Sequence, residues 1–347
     1  MHRSLPALIL LLAGCADSVC ETRSPHHDRL NTFWSRLDRE YSLFDLRLDS
    51  STSWEELGKR ACSEVDLDPS NEGTFNAMLG MARALDDGQV RITTSEWTGD
   101  GRNEPWPHDA ITDALVDHTE AFYIDSALRT VADDAFRWGR SGTFGYLSIG
   151  RLRDFAEPLG ETSDILDARE LLGDIFADIG GSNGMIVDLR STRTGFRTVA
   201  LAVTESFAGP QTTVWSTTER NGPGHSEFTR SEPVMLPASG PGAYDGPVVV
   251  LISPGTFGAA EALALALKSR GATLVGERTS GHLSNPVEAE LNNTWTIRWS
   301  ADRLTDPDGV IYDAMGVPPD VEVLFDPDVL DSPADAALDT ALQLLGG

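Results

Sequence analysis

Apolar residues along the chain follow two different rhythms. Over residues 28–85 they recur at helical spacing, with Leu30, Phe33, Trp34 and Leu37 on one face and Phe75, Met78, Leu79 and residues 81–85 on another. Between them Ser53 precedes Trp54-Glu55-Glu56-Leu57, with Glu56 three residues on, a capping box that opens a helix. After residue 141 short apolar runs alternate with helical stretches. Residues 143–149 alternate as a strand, 163–179 have helical spacing, and 185–189 and 248–252 read as buried strands. Residues 257–268 are good helix formers with a basic end at Lys268 and Arg270, and Gly271 stops them. A short apolar run at 272–275, an alternating strand at 294–299 and an amphipathic helix at 334–345 complete the pattern. Strands alternating with helices predict an α/β core built on a mostly parallel, covered sheet, behind an N-terminal helical region.

The polar stretches divide this pattern. Residues 16–27, with Pro25, read as a linker; 28–95 form the helical region; 96–140 form a connecting segment with a helical-looking 109–118; and 141–347 form the core. Residues 205–246 are rich in Gly, Pro, Ser and Thr, with a hairpin expected around Asn221-Gly222-Pro223-Gly224. The first fifteen residues carry His2 and Arg3, an apolar run at 5–12 too short to span a bilayer, and small residues before a cysteine. Leu12-Ala13-Gly14-Cys15 resembles a bacterial lipobox, which implies an exported protein lipidated on Cys15. Ala16 favours the outer membrane, and the alternative is an ordinary secretory signal cleaved nearby. Cys20 and Cys62 remain, either as a disulfide or as two thiols.

Charge narrows the partners. With 54 acids against 27 bases the net charge is −27, which disfavours nucleic acid and leaves the lipid anchor as the only expected contact with a membrane. No His, Cys, Asp or Glu group has metal-site spacing, and no cofactor is implied.

The unit at 247–282 is where chemistry is expected. A strand, a tight turn and a helix in succession point backbone N–H groups at a helix N-terminus, where developing negative charge is stabilised. Its residues, Thr256-Phe257-Gly258-Ala259-Ala260-Glu261 and then Val275-Gly276-Glu277-Arg278-Thr279-Ser280-Gly281, resemble the core of the tail-specific (C-terminal-processing) serine peptidases, in particular the tricorn-like and retinoid-binding-protein-like branch without a PDZ domain. The resemblance implies a ClpP/crotonase-like sheet with covering helices. It is extended by Leu85-Asp86-Asp87-Gly88-Gln89, by Asp188-Leu189-Arg190 and by the closing 315–323. The segment between 90 and 140 is too short for an inserted PDZ domain.

The same resemblance places the nucleophile at Gly258 and the general base at Gln89. Glycine has no side chain, and an amide has no usable basicity. Of the oxyanion loop only Gly195 remains, with Thr192 where the family has Asn; Gly195 and Ala259 are the candidate N–H donors. Asp188-Leu189-Arg190 reads equally well as a strand-end salt bridge. Two functions follow. One is a family member that has lost its catalytic pair and binds a peptide, an unstructured protein or an apolar ligand in the cleft. The other is a serine-type peptidase with a rearranged site, in which His282 activates Thr256, Ser253 or Ser280.

Overall fold

The computed structural model describes residues 18–346 except 22, 104–108, 126, 293, 327–329 and 331–333; the expected export signal and its Cys15 lie outside the described residues. The β-branched runs of the core form a sheet of seven strands. From one edge these are Val321–Glu322, Thr273–Gly276, Val248–Ile252, Met185–Asp188, Phe144–Ile149, Phe136–Ser141 and Arg129–Val131. The first five are parallel and the last two antiparallel, so the sheet is mixed. Met185–Asp188 is buried along its whole length and Val248–Ile252 nearly so, which explains why they carry continuous apolar runs rather than alternation. Helices Glu161–Ile179, Arg197–Glu205 and Ala259–Ser269 cover one face through Leu172, Ile175, Val199, Val203 and Leu263. Ala336–Leu344 covers the other, burying Leu338 and Ala341 against Tyr146, Ile186 and Leu251.

The N-terminal helices start where hydroxyl side chains accept from backbone N–H groups. Ser24, Ser53 and Ser70 cap Pro25–Glu40, Trp54–Leu67 and Asn71–Arg83. Trp34 and Trp54 each donate an indole N–H to the other's carbonyl at 3.1 Å, so two large apolar side chains are buried with their polar atoms satisfied.

Two boundaries differ from the sequence reading. Residues 286–300 belong with the N-terminal helices, not with the core. Pro286–Asn292 and Trp295–Ser300 join Arg91–Thr93 and Thr98–Asp100 in a separate four-stranded sheet, and Trp295, Ile297 and Trp299 enter the same apolar cluster as Leu30, Phe33 and Met78. The pairing of Ile92 with Ile297 leaves no trace in local periodicity. Residues 18–27 are likewise not a free linker: the Val19 and Cys20 N–H groups both donate to Asn31 Oδ1, at 2.9 and 2.8 Å, and a disulfide joins Cys20 to Cys62. The connecting segment supplies helix Asp109–Tyr123 and the strands Arg129–Val131 and Phe136–Ser141 at the sheet edge.

The disulfide closes a loop with a sequence separation of 42. Replacing both cysteines by serine should lower unfolding stability by about 2–4 kcal/mol, read as a lower urea midpoint under non-reducing conditions.

Candidate active site

The strand Val248–Ile252 delivers the chain into a turn whose two hydroxyl side chains, Ser253 and Thr256, are committed inward. Ser253 Oγ donates to the Arg190 carbonyl at 2.7 Å and accepts from Gly255 N–H at 2.9 Å. Thr256 Oγ1 donates to the Leu189 carbonyl at 2.9 Å and accepts from Ser253 N–H at 3.0 Å, and the residue is fully buried. Gly258 follows at φ +63° and ψ −116° as the N-cap of Ala259–Ser269. A left-handed φ of this kind favours glycine. Above Gly258 the space is open: a Cβ there would meet only the His282 carbonyl, at 3.9 Å.

Glu261, one turn into the helix and fully buried, fixes this geometry. Its Oε2 accepts from Gly258 N–H at 3.0 Å, Ser280 Oγ at 2.7 Å and His282 N–H at 2.8 Å; its Oε1 accepts from Thr279 Oγ1 at 2.5 Å and Gly281 N–H at 2.8 Å. Burial pushes its pKa up, and these hydrogen bonds pull it back.

Across the cleft stands Gln89. Its amide Nε2 donates to the carbonyls of His282 at 2.6 Å and Ser284 at 2.9 Å, and its own N–H donates to Asp87 Oδ1 at 2.8 Å. His282 Nε2 accepts from Gly88 N–H at 3.1 Å, and the ring stacks on Phe257 at 4.6 Å. Burial first, and the Arg47 guanidinium next, hold its pKa down to about 4 against the pull of Asp87. At neutral pH His282 is therefore an uncharged ring that clamps the two halves of the molecule together.

The structure brings Gly258, Gln89 and His282 to one seam. Thr256 and His282 are engaged separately: the Thr256 hydroxyl donates to Leu189 and accepts from Ser253, while the His282 ring accepts from Gly88. The Nε2 lone pair of His282 is occupied by Gly88, so the rearranged base of the sequence reading corresponds to a structural staple. Gly195 packs beside Ala259; a Cβ on Gly195 would fall 3.0 Å from the Ala259 Cβ and 2.3 Å from the Leu152 Cβ, so only glycine fits. Thr192 turns its hydroxyl to the Ile149 carbonyl and its own carbonyl accepts from Phe257 N–H at 3.0 Å.

Asp188-Leu189-Arg190 is a buried ion network. Arg190 bonds Asp188 at 2.7 Å and Asp335 at 2.8 Å, and Asp335 caps the last helix. Asp313 has no counterpart in the sequence reading. It is fully buried, its Oδ1 accepts from Ser284 N–H at 2.8 Å, and among the described residues its Oδ2 has no hydrogen-bond partner. Nothing in its local sequence marks it, since the groups around it come from distant segments.

Residues 144–323 match peptidase family S41. A carboxyl-terminal-processing protease of Synechocystis sp. is 34% identical over 172 residues, which is 48% of this chain and 38% of that relative's length. Among solved structures, a candidate peptidase from Parabacteroides merdae superposes with a TM-score of 0.76 at 21% identity, covering 94% of this chain and 98% of the other. A lipoprotein from Streptococcus agalactiae gives 0.60 at 12% identity, over 93% and 97% of the two chains. These structures share the fold.

The buried charges set the pH behaviour. Burial pushes the Asp313 carboxyl from an ordinary 3.8 up to about 8, against the Ser284 N–H, so the folded state keeps a proton that the unfolded chain releases. Stability from this group falls as pH rises toward 8. His282, moved from 6.5 down to about 4, acts oppositely, because the unfolded chain binds the extra proton and stability rises with pH over 4–6.5. The two offset each other below pH 6.5; above it Asp313 acts without the offset. Stability should therefore fall by roughly 1–2 kcal/mol between pH 6.5 and 8, and Asp313→Asn should flatten that slope in thermal melts.

Proposed function

Because the chain belongs to peptidase family S41, we propose that it retains the family's cleft without its peptidase chemistry, and that it is an exported lipoprotein that binds a peptide or an unstructured protein segment there. The observation that carries this reading is at the helix N-terminus. The residue at the nucleophile position, Gly258, has no side chain, while the turn, the helix and the loop held by Glu261 remain in place. The facing residue supports it too. Gln89 offers N–H donors already committed to two carbonyls, where a base would need a free lone pair. His282 accepts no further proton near neutral pH, and Thr256 presents no hydroxyl to the cleft. A disulfide between Cys20 and Cys62 suits an oxidising compartment, in keeping with the export signal.

Purified protein is expected to leave an unstructured protein substrate intact, as followed by gel electrophoresis and mass spectrometry. The double variant Gly258→Ser plus Gln89→His should cleave it, at a rate roughly a hundredfold or more above the parent. Cleavage by the parent that disappears in a His282→Ala variant shown by circular dichroism and thermal melting to keep its fold would instead establish a relocated catalytic site.

A further inference from the structure

The N-terminal segment leaves the helical unit on a defined side. Residues 18–20 do not trail from the start of helix Pro25–Glu40; they double back along it. Ser24 caps that helix, yet Cys20 N–H reaches Asn31 Oδ1 at 2.8 Å, two turns further on. The Val19 side chain lies deeper still. A Cβ on Gly58 would fall 2.8 Å from Val19 Cγ2 and 2.7 Å from Trp34 Cδ1, so glycine at 58 is what leaves room for both. The disulfide to Cys62 fastens the segment to helix Trp54–Leu67, and Ser18 Oγ donates to the Cys20 carbonyl at 2.7 Å. The segment is thus laid into the groove between two helices as far as Ser18.

This groove and the cleft lie on opposite sides of the first helix. His27, Asn31 and Trp34 stand at i, i+4 and i+7 and share the face turned to the segment and to Trp54–Leu67, where His27 meets Asp66 at 3.1 Å. Arg29 and Arg36 project about half a turn away, and their guanidinium groups lie over the rings of Trp295 and Trp299, at 4.2 and 5.8 Å. Both tryptophans belong to the apolar face of the four-stranded sheet. Alternate residues of its strands, Arg91 and Arg298, take the other face, and Arg91 lines the cavity beside Phe257 together with Arg102 and Arg193. Segment, helix, sheet and cleft therefore follow one another as layers.

We propose that the face carrying residues 18–20, between helices Pro25–Glu40 and Trp54–Leu67, is apposed to a lipid bilayer, and that the cleft stands on the far side of the helical layer. The proposal rests on the lipoprotein reading above and adds to it an orientation. Cys15 precedes Ser18 by three residues, a covalent reach of about 10 Å at most. A helix with its side chains is about 10–12 Å thick, which with the sheet behind it puts the cleft on the order of 20–30 Å from the headgroups. The short tether imposes this apposition against charge, because a chain of net charge −27 is repelled by anionic lipid. The cleft accordingly takes its segments from the aqueous compartment.

The test uses the mature lipidated chain in vesicles of phosphatidylethanolamine and phosphatidylglycerol that carry a spin-labelled headgroup as quencher. A fluorescent amino acid replaces either Lys59, exposed beside the groove, or Thr194, exposed on the core side of the cleft, so the disulfide is undisturbed. The label at 59 should lose most of its emission and the label at 194 should keep it. Replacing Cys20 and Cys62 by serine frees the segment back to Ser24 and lengthens the tether from three residues to nine, about 30 Å, so quenching at 59 should fall. A flexible Gly-Ser insertion after Asp17 leaves the disulfide in place; it should have the same effect and serves if the serine variant does not fold. Mass spectrometry of the N-terminal peptide reads the lipid on Cys15, and the Cys15→Ser chain should remain in the supernatant when vesicles are sedimented. Equal quenching at the two positions of a lipidated chain, or stronger quenching at 194, overturns the orientation and leaves the lipoprotein reading standing. A Cys15 without lipid overturns both.

Discussion

A single buried carboxylate holds the cleft in shape. Glu261 collects five donors from Gly258 and from residues 279–282, so the N-terminus of one helix and the loop after the neighbouring strand are gathered around one charge. A carboxylate taken out of water is tolerated only when its oxygens are saturated in this way, and withdrawing donors leaves a buried charge uncompensated, at a cost of several kcal/mol. From Glu261 the constraint passes outward. The His282 backbone is fixed by it, the ring then accepts from Gly88, and the His282 carbonyl accepts from Gln89. The seam between the helical N-terminal unit and the core is therefore an extension of one hydrogen-bonded centre. None of these contacts requires a nucleophile, which explains how the frame stays intact around Gly258.

Much of this was legible in the chain itself. The apolar run at 248–252, the alanine-rich helix after it and the glycine that stops that helix are local signals, and local physics decides them. Gly258 and Gln89 drew attention for a different reason, since each stands inside a short stretch that resembles a family motif. What escaped reading is what depends on distant segments. Arg91–Thr93 finds its partner in Trp295–Ser300, some two hundred residues away, so strands that look like core join the N-terminal helices. Asp313 is an unremarkable polar residue in sequence and a buried acid in space. The direction of a hydroxyl was equally hidden: Thr256 is a plausible reactive group by composition, and the turn points it at Leu189. The arginines of the cleft come from positions 91, 102 and 193, and no window of sequence contains all three.

The second ionic centre shows how the family's motif residues divide between structure and chemistry. Arg190 ties the end of a core strand to the cap of the last helix through Asp188 and Asp335. Ion pairs this deeply buried gain little net stability over an apolar replacement, yet losing one partner is costly. They act as registration points between the sheet and the C-terminal helix, and Asp188-Leu189-Arg190 persists here for the sake of the scaffold.

Gly258 also bears on how such a site changes over time. At φ +63° any side chain costs on the order of 1–2 kcal/mol that glycine does not incur. An enzyme that needs a hydroxyl there must carry that strain, whereas a protein that needs only to bind is relieved of it. Selection for stability then favours glycine, and because Gln89 is wired into the backbone of the opposite wall, introducing a hydroxyl alone would add the strain without a base beside it. For a binding protein on this scaffold the step from serine to glycine is a ratchet, easily taken in one direction and opposed in the other.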